Sequence, residues 1–176
     1  MRSSAKAVSF GILYGQGPYG LSRQIGMSMD AAKRFIAAYF ERYPTVRRFM
    51  DGTTRDAASN GYVTTLMNRR RYVPGLKETD RVKRAAGERE AVNAVIQGSA
   101  ADMIKVAMIR IHSDLRKRGS QAKLLIQIHD ELLLEAPEPE MEAVRELVVR
   151  EMASALPLSV PVKVNSAVGK NWMEVA

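Results

Sequence analysis

The sequence contains no cysteine. That excludes disulfides and thiolate-bound zinc, and it suits a reducing compartment. There is no run of eighteen apolar residues, so a membrane-spanning helix is not expected. The opening stretch Met1-Arg2-Ser3-Ser4-Ala5-Lys6 lacks the apolar centre and cleavage site of a signal peptide. Internal repeats and low-complexity linkers are missing as well. What remains is a chain of 176 residues that is 46% hydrophobic. It can bury a real core, as one ordinary domain or two small lobes.

The net charge is +8 and the pI about 9.9. Such a balance speaks to partners and not to fold. Nucleic acid is the first expectation, an acidic membrane surface the second, and a basic protein without a polyanionic partner the third. The distribution says more than the sum. Arg69, Arg70, Arg71, Lys77, Arg81, Lys83, Arg84 and Arg89 crowd one segment, whereas Glu138 to Glu151 is mostly acidic. A localised basic stretch of this kind reads as a phosphate-binding surface. A membrane-surface role lacks its usual support, a basic amphipathic helix with a broad apolar face.

Periodicity places the elements. Arg2 to Tyr14 reads as a helix, followed by a turn through Gly15, Gly17, Pro18 and Gly20. Ser28 suits an N-cap for a helix to about Tyr43, and Pro44 separates it from another that runs to about Ala58. Tyr62–Leu66 and Arg71–Val73 read as short strands around an Asn68-Arg69 turn. A helical pattern then covers Asp80 to Arg118, with a break expected near Gln97-Gly98 and a cap at Gly119. Lys123–Ile128 and Glu131–Glu135 form the apolar arms of a second hairpin tipped by His129 and Asp130. An amphipathic helix around Met141 to Met152 follows, and Val160–Val164 with Ser166–Val168 suggest a final strand or strand pair. The fold class is α+β.

Two places carry candidate chemistry. Arg2, Lys6, Phe10 and Tyr14 are spaced by four and so share one ribbon of a helix. Two cations in the first turns oppose the helix dipole by about 0.3–1 kcal/mol each unless an anion is present. A triphosphate would meet both cations and the free N–H groups there. A surface helix with two solvated cations and two core aromatics also satisfies the spacing. Its start shows no N-cap and no preceding loop, so a preceding portion of chain is expected. The second place is Gln127-Ile128-His129-Asp130-Glu131-Leu132. Two carboxylates at the tip of a buried hairpin need a partner, and a hard divalent cation such as Mg²⁺ suits them. An exposed, solvated turn is the other reading. Neighbouring strand residues face opposite ways, so Asp130 and Glu131 are not expected to share one ion closely.

Four segments, taken in order, resemble the family A (DNA polymerase I-like) DNA polymerases. Arg2 to Gly15 resembles motif B, with its Arg, Lys, Phe and Tyr-Gly. Arg69-Arg70-Arg71-Tyr72-Val73-Pro74 resembles a basic segment of that family. Arg89, Asn93 and Gln97-Gly98-Ser99-Ala100-Ala101-Asp102 resemble another. Gln127 to Leu132 resembles motif C, with its His-Asp-Glu core. The resemblance implies a fingers-like helical region with a short hairpin over 1–88 and a partial palm over 89–176. The palm would carry a small antiparallel sheet with flanking helices. It implies that Arg2 and Lys6 hold the phosphates of a dNTP, that Phe10 packs by its sugar, and that Tyr14 and Gly15 close over the nascent pair. Arg69, Arg70, Arg71, Arg89, Asn93, Gln97 and His129 would contact primer-template DNA. Asp130 would be the metal ligand and, with Glu131, the catalytic pair, with Mg²⁺ as cofactor. The implied compartment is the cytoplasm of a bacterial or phage-infected cell.

Motif A, with the second metal-binding aspartate, lies upstream of motif B in that family, and this sequence starts at motif B. A two-metal mechanism clamps ions about 3.5–4 Å apart between carboxylates from separate elements. The expectation is therefore that the chain alone polymerises poorly, and that a further segment carrying motif A is a partner. Two other readings stay open: a non-enzymatic nucleic-acid-binding module that keeps the fold, and a phage-type single-subunit RNA polymerase. The latter usually has Ser where this chain has Glu131.

Overall fold

The computed structural model describes residues 2–175, with side chains over 8–175. It divides into two compact units, Met1–Ser99 and Ala100–Ala176. Helix α1 (Arg2–Leu13), α2 (Pro18–Ile25), α3 (Met29–Arg42) and α4 (Pro44–Asn60) open the first unit. The antiparallel pair β1 (Tyr62–Thr64) and β2 (Arg70–Tyr72) follows, then a 3-10 turn (Pro74–Lys77) and the first part of α5 (Arg81–Lys117). The second unit holds the rest of α5, the hairpin β3 (Lys123–Ile128) and β4 (Glu131–Glu135), α6 (Met141–Ala153) and the short α7 (Trp172–Val175). Among the described residues, no helix is long and apolar enough to cross a membrane.

Local chemistry sets most boundaries. Ser28 caps α3 by accepting from the Ala31 amide at 3.2 Å. Pro18 and Pro44 occupy first-turn positions, where a missing N–H costs nothing. Asp80 caps α5 by accepting from Val82 and Lys83 at 2.8 and 2.9 Å. Gly119, at φ 64°, ends α5 in the left-handed conformation.

The first unit has two apolar clusters. Val8, Ile12, Leu21 and Ala32 join α1, α2 and α3, while Ala57, Val63, Val73, Leu76 and Ala91 join α4, the small sheet, the 3-10 turn and α5. Burying Ile12 and Leu21 stabilises the first cluster by about 1.5–3 kcal/mol each. In the second unit Ala107, Ile111 and Leu115 of α5 pack with Val144, Leu147 and Ala155, and Leu124, Leu132 and Leu134 of the hairpin cover them.

Three expectations are corrected. The turn expected from Gly15 to Gly20 is shorter, because Pro18 starts α2 and Gly20 lies inside it. Helix α5 runs unbroken through Gln97-Gly98. Gly98 serves there as a contact point: a Cβ on it would lie 2.7 Å from Thr65 Cγ2. Finally, 160–164 and 166–168 are irregular, and β3 and β4 pair only with each other among the described residues. Pro161 removes a ladder donor from the first of those runs.

Two glycines of these helices should respond oppositely to alanine. A Cβ on Gly87 of α5 would lie 2.6 Å from the Gly75 carbonyl carbon and 2.8 Å from the Leu76 nitrogen, whereas one on Gly52 of α4 would meet nothing within 4 Å. In urea denaturation, Gly87→Ala should lose about 1–3 kcal/mol. Gly52→Ala should gain about 0.5–1 kcal/mol.

Candidate nucleic-acid interface

The C-terminal end of α1 meets α5. Phe10 and Tyr14 stack with ring centroids 6.0 Å apart, and Phe10 is 44% exposed. Gln97 Nε2 donates to the Tyr14 hydroxyl at 2.8 Å. Just beyond the helix, Gly15 adopts φ 78°, and a Cβ there would lie 2.6 Å from Arg89 Cγ. The Arg89 stem therefore packs on bare backbone. Arg89, Asn93 and Gln97 are spaced by four and form one ribbon of α5. The Asn93 Oδ1 atom is buried without a hydrogen-bond partner among the described residues. It is an acceptor left over in this state. Arg2 and Lys6 lie in α1, but their side chains are outside the described residues.

Beside this junction a cleft of about 370 Å³ is lined by Ile12, Phe40, Val92 and Arg89, with the Arg47–Asp51 ion pair at 2.8 Å among its walls. The loop Gly15–Pro18 borders it. The Gln16 side chain lies over Gly11 and against Gly20, with its Oε1 buried and unpartnered among the described residues.

The three arginines after Asn68 are not equivalent. The turn that carries them is built by two buried hydroxyls. Thr65 Oγ1 accepts from the Met67 and Arg69 amides at 3.3 and 3.2 Å, and Ser99 Oγ accepts from the Leu66 amide at 3.0 Å while donating to the Val95 carbonyl at 2.7 Å. Asn68 closes the turn at φ 60°. Arg69 donates to the Gly98 carbonyl at 3.1 Å, so it ties the turn to α5. Arg71 pairs with Glu90 at 3.2 Å. The Arg70 guanidinium lies 4.7 Å from the centroid of the Tyr62 ring. Ser99 lies in a segment singled out by resemblance, but the sequence assigns no role to its hydroxyl or to that of Thr65. Their one signal was a small Gly98-Ser99 pair inside a helical pattern.

The second hairpin forms as expected, with Gln127 opposite Leu132, Ile128 opposite Glu131, and an irregularity between Leu124 and Ile126. His129 sits at φ 53°, and Gln127 Nε2 donates to its carbonyl at 2.8 Å. His129, Asp130 and Glu131 are all exposed. The two carboxylates are thus hydrated, and the desolvation cost that a buried tip would carry does not arise. Among the described residues, no three His, Asp or Glu side chains gather as a metal cage. The donors still fit Mg²⁺, which keeps several waters and binds through one or two carboxylates together with substrate phosphates.

The sequence profile described as "DNA polymerase family A" matches residues 1–174. DNA polymerase I of Caldicellulosiruptor bescii is 49% identical over 174 residues, which are 99% of this chain and 20% of that protein. DNA polymerase I of Bacillus subtilis is 47% identical, again over 99% of this chain and 20% of its own length. The chain therefore spans about a fifth of the length of these curated relatives. Among solved structures, the POL domain of Pol1 from M. smegmatis, in complex with DNA primer-template and dNTP, superposes with a TM-score of 0.88. It is 42% identical and covers 92% of this chain and 29% of its own.

Ser99→Ala leaves the Leu66 amide without its acceptor. Such a loss costs about 1–3 kcal/mol. Urea denaturation should register it, and hydrogen exchange should show the Leu66 amide losing protection while amides of α3 keep theirs.

Proposed function

Because this chain belongs to DNA polymerase family A, we propose that it is the fingers-like and partial-palm segment of a DNA-directed DNA polymerase, serving nucleotidyl transfer from a dNTP to a primer 3′ end. The observation that most supports this is the Gln97–Tyr14 hydrogen bond. It brings a residue assigned to the nascent pair into contact with one assigned to the duplex.

In this reading Arg2 and Lys6, in the first turns of α1, hold the triphosphate with charge-assisted hydrogen bonds. Phe10 packs against the sugar. Tyr14 and Gly15 cover the base pair, with Tyr14 held by Gln97 and Gly15 by the Arg89 stem. Asn93 and Gln97 offer amide groups to the duplex, and the spare Asn93 oxygen suits a base or sugar donor. Arg70 and Arg71 meet phosphates, Arg71 after exchanging its Glu90 partner. Arg69 contributes by shaping the turn. His129 lies at the primer terminus. Family A polymerases are generally metal-dependent. We take the ion as Mg²⁺, held by Asp130 with Glu131 nearby; when bound it supplies charge neutralisation at the phosphate and a more acidic attacking hydroxyl. A further polymerase segment contributes the second carboxylate. The setting is a bacterial cytoplasm, in keeping with the bacterial relatives.

Nucleotide binding and duplex binding thus fall on separate residues. With Mg²⁺ present, Lys6→Ala should weaken dNTP binding by about tenfold, as loss of one charged hydrogen bond implies. Affinity for a blunt duplex, followed by fluorescence anisotropy, should hold. Equal loss of both ligands would contradict separate sites.

A further inference from the structure

The small hairpin carries an open aromatic face, and of its residues the roles above use Arg70 alone. In its register Tyr62 stands opposite Tyr72 and Thr64 opposite Arg70. Directly opposed residues point to the same side of a sheet, so these four share one face. The other side presents Val63, which is buried in the core. On the shared face the planes form a ladder. The Arg70 guanidinium lies 4.7 Å from the Tyr62 centroid, and the Tyr62 ring meets Tyr72 edge-on with centroids 5.8 Å apart. Tyr72 ends the ladder with 66% of its surface exposed. The adjoining turn also shows Leu66 at 64% and Met67 at 47%.

This face is held firmly. The turn is fixed by the Thr65 and Ser99 hydroxyls, and the hairpin's other side is packed into the cluster of Ala57, Val73 and Ala91. An exposed Tyr72 ring backed by the Tyr62 ring, which in turn lies under the Arg70 guanidinium, suits stacking on a planar partner. The surrounding charge selects which partner. Residues 69–89 hold eight Lys or Arg against three Asp or Glu. Stacking planes beside a cationic track are the recognition chemistry of single-stranded nucleic acid, whose bases are unpaired and whose backbone is anionic. A duplex keeps its bases stacked inside and offers a free π-face only at its two terminal pairs, whereas every base of a single strand can present one.

We propose that Tyr72, braced by Tyr62 and Arg70, is a stacking platform for an unpaired base of a single-stranded nucleic acid. The rival explanation is that the tyrosine pair serves only the hairpin, since a cross-strand aromatic pair stabilises its own strands. Tyr72→Leu separates the two, because it keeps apolar bulk and strand compatibility but has no π-face. The proposal rests on the polymerase-segment reading only in taking nucleic acid as the partner class.

The test measures anisotropy of the full chain with a labelled oligodeoxythymidylate and with a blunt duplex of the same length. Tyr72→Ala and Tyr72→Leu should each weaken oligodeoxythymidylate binding by about tenfold, the scale of one lost base stack. Tyr72→Phe should bind like the unmodified chain, and duplex affinity should hold in all three. Undiminished oligodeoxythymidylate binding in Tyr72→Leu overturns the platform alone. A parallel loss on the duplex also overturns it, since the face would then be a general DNA contact. If the unmodified chain binds neither ligand, the platform and the polymerase-segment reading fall together.

Discussion

The Ser99 hydroxyl stands between the Leu66 amide and the Val95 carbonyl, and much of the first unit depends on that bridge. It can form only because Gly98, one residue earlier, lets Thr65 approach where any side chain would collide. With the gap closed, Arg69 reaches the Gly98 carbonyl and Gln97, on the same turn of helix, reaches the Tyr14 hydroxyl. Three successive residues of α5 therefore fix both the basic turn and the end of α1. Glycine in mid-helix ordinarily costs stability relative to alanine. Here that cost is offset by contacts that no other residue permits.

This arrangement gives the arginine triplet a division of labour. Arg69 donates to the Gly98 carbonyl, Arg71 pairs with the Glu90 carboxylate, and Arg70 rests on the Tyr62 ring. Charge composition alone treats the three as equal. The fold separates them because alternate strand residues face opposite sides and the turn residue faces the helix.

Much of this was legible in the sequence because local chemistry decided it. The Ser28 cap, the Gly119 stop and both hairpins follow from short-range rules. The misread elements were those decided by tertiary contact or by proline. Gly98 looked like a break because its partner, Thr65, is distant in sequence. Pro18 looked like part of a turn although it begins a helix, and Pro161 interrupts a run whose β-branched residues suggested a strand. At the site, Tyr14 and Gln97 were each legible by resemblance, but their hydrogen bond was not, since nothing local links positions so far apart. The exposure of Asp130 and Glu131 was likewise beyond the sequence, where a buried and a hydrated tip were equally consistent with the apolar arms.

The proposed function makes this chain one part of a polymerase site whose carboxylates come from more than one segment. Its most direct test is primer extension with Mg²⁺ and all four deoxynucleotides, on the chain alone and mixed with a separately prepared family A segment carrying the upstream aspartate. Assembly of the mixture is to be verified first. Extension is expected in the mixture, with its loss on Asp130→Ala, and little or none from the chain alone. Extension by the chain alone that is lost on Asp130→Ala, or an assembled mixture that stays inert, would contradict that division of the site.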